Sequence, residues 1–155
     1  MRKCWLIIPL IMVLCISCVT YDRPIAPEEM RTYEKIFNIP NTAKDELYVR
    51  ANEWFVNTFK SAKSVIQFQD KEAGKIMGKY RLYITIGKPV SITVGCTSII
   101  TVDVKDNRVR LYITGLESDY GADMTTDLES IESALNTWNK LASTLEIALK
   151  EKSEW

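Results

Sequence analysis

The spacing of apolar residues changes along this chain, and each change marks a different element. After Met1, Arg2, Lys3 and Cys4 comes an uncharged, mostly apolar run, WLIIPLIMVLCI, with no face to it. From Val19 to Glu29 the pattern dissolves into mixed polar residues with Pro24 and Pro27, which reads as an extended tether. Arg31 to Ile39 contains TYEKIFNI, rich in β-formers and closed by Pro40, and predicts a short strand. Asn41 or Thr42 then offers a helix cap, and Asp45 and Glu46 suit the positive end of a helix dipole. Leu47, Ala51, Trp54, Phe55, Thr58 and Ala62 follow at helical spacing and form one stripe that must lie against a core.

Beyond Ser64 the period falls to two. SVIQFQ, a turn at DKEAG and a long strand with Ile76, Gly78, Tyr80, Leu82, Ile84 and Ile86 on one face lead to a break at Gly87, Lys88 and Pro89. Ser91 to Lys105 alternates again, with Ile92, Val94, Cys96, Ile100, Val102 and Val104 on the apolar side. A two-residue turn at Asp106 and Asn107 pairs Lys105 with Arg108 and Val104 with Val109, so the apolar faces match. The same register sets Asp103 opposite Arg110 and Thr101 opposite Tyr112 on the polar face. Gly115 to Met124 reads as an acidic loop, and Thr126 with Glu129 as a capping box. Leu128, Ile131, Leu135, Trp138, Ala142, Leu145 and Leu149 then form a seam at spacings of three and four, suited to covering a sheet rather than to a coiled coil.

The first run, with its basic start, resembles a bacterial export leader. It is interrupted by Pro9 and short of the length a spanning helix needs. Ser17 before Cys18 resembles a lipobox, although the position three before the acceptor is Cys15, where that pattern usually has Leu. The organisation expected is a lipoprotein leader over residues 1–17, a lipid-acceptor Cys18 and tether over 18–29, and one domain over 30–152. Acylation, of the palmitate type, would hold the protein in the envelope of a Gram-negative cell, at the outer membrane facing the periplasm. Ordinary secretory cleavage at the same bond is the alternative, and it would leave Cys18 free to pair with Cys96.

Once Arg2 and Lys3 leave with the leader, the chain is slightly acidic, and histidine is absent throughout. Nucleic acid is therefore not an expected partner. The commonest general base and metal ligand are also missing.

The segment KDELYVRANEWFVNTFKSAKSVIQFQDKEAGKIMGK, from Lys44 to Lys79, and the hairpin VDVKDNRVRLYIT, from Val102 to Thr114, resemble a family of exported bacterial proteins described as a domain of unknown function with a TBP-like fold. The resemblance implies an α+β domain of one half of the TATA-binding-protein fold. Its order is β-α-β-β-β-β-α, with an antiparallel sheet and two helices on one face. It implies no catalytic residue or cofactor, and likeness to a DNA-binding fold does not carry DNA binding with it.

With the apolar strand faces turned to the helices, the opposite face is expected to display Lys75, Lys79, Arg81, Lys105, Arg108 and Arg110, with Tyr83 and Tyr112, against only Asp103. Such a platform suits an anionic head group, an envelope polysaccharide or an acidic protein surface. The plainer alternative is a charged face that keeps the sheet soluble.

Glu117, Asp119, Asp123 and Asp127 lack the spacing of a calcium loop, and GKIMGKY lacks the gap and the hydroxyl of a phosphate loop. Cys96 lies mid-strand on an apolar face with no histidine to activate it. No metal, cofactor or catalytic residue is assigned. The reading is a non-enzymatic envelope binding module. The rivals are an envelope hydrolase using acids of the 117–127 loop and a self-associating structural protein.

Overall fold

The computed structural model describes residues 23–59 and 65–151. Cys18, the leader and Ala62 lie outside the described residues. A short 3-10 turn, Glu28–Met30, leads into β1, Thr32–Asn38, and then α1, Lys44–Thr58. Four strands follow: β2, Ile66–Asp70; β3, Lys75–Ile86; β4, Ile92–Lys105; and β5, Arg108–Ser118. The last element is α2, Leu128–Lys150. The strands form one antiparallel sheet in the order β1-β5-β4-β3-β2, so α1 carries the chain from one edge of the sheet to the other.

Both helices lie on one face, as expected from the strand alternation. Ile76, Leu82, Ile84, Cys96, Ile100, Val102, Val104, Val109, Leu111 and Ile113 are buried beneath them, with Phe37 from β1. Leu47, Ala51, Trp54 and Phe55 of α1 and Ile131, Trp138, Ala142, Leu145 and Leu149 of α2 close this core from above. The α2 seam is therefore a sheet cover, not a coiled coil. Gly78 leaves room for α1, because a Cβ there would sit 3.1 Å from the Phe55 ring.

The two helices are tied together by Arg50, a buried cation on α1. Its guanidinium donates to the Leu149 carbonyl in the last turn of α2 and to Glu46 one turn back on its own helix. The carbonyl would otherwise be an unsatisfied helix end.

Three local expectations are corrected. The α1 cap is Ala43, with no side-chain bond of its own. The hairpin tip supplies the bond instead: Asp106 Oδ1 accepts from Lys44 N at 2.8 Å, and Asn107 Oδ1 accepts from Thr42 N at 3.1 Å. The cap of α2 is Asp127, whose carboxylate accepts from Ser130 N at 2.9 Å, rather than Thr126 with Glu129. The segment after Thr114 is not yet loop: β5 runs on to Ser118 past a bulge at Gly115, where the register shifts between Thr97 and Ile99 on β4. Gly115 has φ of +73°, which glycine adopts without steric cost.

Candidate functional site

The face of the sheet away from the helices has no layer over it among the described residues. The register fixes what it shows. Lys75, Asp103 and Arg110 stand side by side on β3, β4 and β5; Met77, Thr101 and Tyr112 form the next row; Lys79, Ile99 and Thr114 the next. Arg81 and Thr97 lie beyond, then Tyr83 and Gly95. Lys105 and Arg108 pair at the hairpin end. All eight residues expected on this platform are on it.

The platform is less basic than the sequence reading holds. β1 adds Glu34 beside Tyr112, β2 adds Asp70 beside Lys75, and the extension of β5 adds Glu117 beside Thr97. Asp119 folds back as well: its backbone N–H donates to the Gly95 carbonyl at 2.9 Å, and its carboxylate is bonded by Arg81. The statement that only Asp103 opposes the cations is thus corrected.

The ion pairs sort the cations into two groups. Asp103 accepts from Arg110 Nε at 3.1 Å and lies 3.7 Å from Lys75 Nζ, so one carboxylate serves two cations. Arg81 is held by Asp119 and stacks over the Tyr83 ring at 5.4 Å. The hydrogen bonds that Arg110 and Arg81 donate to Asp103 and Asp119 push the two guanidiniums up and keep them charged. Lys79, Lys105 and Arg108 have no carboxylate within ion-pairing distance among the described residues. A depression of about 370 Å³ lies beside two of them, lined by Lys105, Arg108, Arg110, Asp103, Glu34 and Ile36 among others.

Apolar side chains are interspersed with the charges. Tyr83 is 63% exposed and Phe68 46% exposed, while Tyr112 is half-buried between its neighbours. Sequence reasoning missed Phe68 and Ile36 here, because a five-residue strand with a bulge and a lone edge strand give too little alternation to assign a face.

The acids of the 117–127 segment go to separate tasks. Asp127 caps α2 and Asp119 holds Arg81. Asp123 accepts from the Thr125 N–H at 2.9 Å and its hydroxyl at 2.7 Å, which holds its carboxyl below the ordinary value. Glu117 and Asp123 do share a depression with Arg31 and Thr125. An Asp held in the ionised form, however, is not poised as an acid. No cluster of three possible metal ligands occurs among the described residues. Cys96 is buried in the core, and burial pushes its thiol up, away from the nucleophilic thiolate.

Residues 33–118 match the model of a family described as a domain of unknown function (DUF4468) with TBP-like fold. The chain belongs to this family. DUF4468 membership accords with two solved structures. One is a DUF4468 family protein from Bacteroides ovatus ATCC 8483, 12% identical, with a TM-score of 0.64 over 85% of this chain and 94% of that one. The other is a TBP-like protein from Parabacteroides distasonis ATCC 8503, also 12% identical, with a TM-score of 0.62 over 79% of this chain and 94% of that one. No curated protein matches the chain. At 12% identity the likeness to these two proteins is one of fold. No described helix is long and apolar enough to cross a membrane.

Proposed function

We propose that this chain is an exported lipoprotein, held by acyl chains on Cys18, whose domain binds an acidic polysaccharide of the cell envelope through the open face of its sheet. The observation that most supports the reading is the cross-strand pair Lys105 and Arg108. Like charges directly opposite each other weaken a hairpin. Two exposed cations kept there without a carboxylate, with Lys79 further along the face, suit an anion that bridges them. The shape favours a polymer over a small ligand: the face is long and shallow, and Tyr83 and Phe68 offer flat apolar surface between the charges.

The paired cations contribute less to such binding, because a ligand would have to displace Asp103 or Asp119 from them. The test compares Lys105→Glu with Arg108→Glu, singly and together, against Arg81→Ala, in titrations with the acidic polysaccharide fraction extracted from the envelope. Loss of binding in the double reversal, with the circular dichroism spectrum unchanged and Arg81→Ala still binding, supports the reading. Equal binding by all variants excludes the face. Capture of an acidic protein in place of the polysaccharide would move the assignment to a different partner class.

A further inference from the structure

Three exposed aliphatic side chains, Ile25, Val90 and Ile92, lie where the chain enters the fold and at the turn next to that entry; others, such as Val56 on α1 and Ile147 on α2, stand elsewhere. Val90 is 76% exposed and Ile92 53% exposed, at the turn between β3 and β4. Ile25 is 74% exposed and bridges to Asp127 at the start of α2. The entering chain and the turn are neighbours: Arg23, Pro24 and Lys88 line one depression with the first residues of α2, and Leu128 N donates to the Pro24 carbonyl at 3.1 Å. Ile25, Val90 and Ile92 do not serve the core, and Val90 and Ile92, two residues apart on the turn, are left in water, as apolar residues at a contact are.

The position of Cys18 supplies the occupant. Only five residue steps separate it from Arg23, a span of at most about 18 Å even when fully extended. An acyl chain on Cys18 therefore brings the β3–β4 turn to within reach of the bilayer surface.

We propose that the β3–β4 turn docks on the membrane, with Val90 and Ile92 entering the interface and Ile25 beside them. This rests on the acylation of Cys18. Two or three aliphatic side chains are too small an apolar area to hold a protein on lipid unaided; the anchor supplies the local concentration and the turn supplies the orientation. Lys88 and Arg23 can reach phosphate groups, but Glu129 and Glu132 line the same depression and Arg23 lies 3.9 Å from Asp127. The contact is accordingly apolar in the main and insensitive to salt. The fourteen residues of β4 then set Lys105 about 45 Å from the turn, facing away from the bilayer.

The test uses the full-length chain, matured and acylated in cells and reconstituted in vesicles of phosphatidylethanolamine and phosphatidylglycerol. Val90→Cys and Glu72→Cys, at opposite ends of the sheet, each carry an environment-sensitive fluorophore, Cys96 being buried and unreactive. Docking predicts blue-shifted emission at Val90→Cys, quenched by spin-labelled lipid and unchanged by salt, with water-like emission at Glu72→Cys. Water-like emission at both positions while intact mass shows the acyl chains overturns the docking and leaves the anchor standing. Equal shifts at both positions overturn the end-on orientation. Absence of acyl mass overturns the anchor, and the docking with it.

Discussion

Glycine 95 shows how a single residue shapes the open face. A Cβ at that position would meet Asp119 Oδ2 at 2.2 Å and Arg81 Nη2 at 3.0 Å, so the missing side chain is what lets the Arg81 and Asp119 pair lie flat on the sheet. Gly95→Ala should displace the carboxylate while the backbone bond to Asp119 keeps the loop in place. The pair is well exposed, so the expected loss of stability by urea unfolding is small. The sharper sign is coupling: Arg81→Ala should cost less in the Gly95→Ala background than in the native chain. Additive effects would mean that the pair is not seated by Gly95.

Glu146 gives the pH dependence. Hydrogen bonds from Lys150 and Lys35 hold its carboxyl below the usual value. A depressed carboxyl favours the folded state above its unfolded value, about pH 4.3, and that contribution is lost as pH falls through the folded value. The difference in urea midpoint between the native chain and Glu146→Gln should therefore be present at neutral pH and shrink toward pH 3. A difference of the same size at both would contradict the assignment.

Among the elements, the hairpin of β4 and β5 was legible as far as Thr114, since alternation and a two-residue turn leave one register in which the apolar faces agree. Lys105 with Arg108, Val104 with Val109, Asp103 with Arg110 and Thr101 with Tyr112 all pair as expected. The seam of α2 was legible for the same reason: a long element repeats its signal. Helix starts were not, because several residue types can cap and the choice depends on where the chain turns. At α1 the cap comes from Asp106, distant in sequence. At α2, Asp127 takes the role that Thr126 was expected to fill. Asp127→Ala should cost about 1 kcal/mol in thermal or urea unfolding, and Thr126→Ala close to nothing. The reverse ranking would restore the capping box.

At the scale of the whole molecule, the eight platform residues were legible because parity along three strands assigns them to one face. Their pairing was legible only in part: Asp103 beside Arg110 follows from the register, whereas Arg81 with Asp119 depends on a returning loop. That pairing changes the functional picture. It leaves Lys79, Lys105 and Arg108 available out of a face that reads as basic with Asp103 alone opposing, and it draws interest toward the hairpin end. The opposite end carries Val90 and Ile92, beside the point where the chain enters the fold. In the proposed arrangement one end meets lipid and the other an anion, separated by the length of β4.

The most direct measurement is a titration of the acylated chain, and of its Lys105→Glu, Arg108→Glu double variant, with the envelope's acidic polysaccharide fraction at low and at physiological salt. The native chain should bind with an affinity that falls as salt rises, and the double variant should not bind although its fold and acyl mass are those of the native chain. Binding of equal strength by both would contradict the proposed role of the two cations.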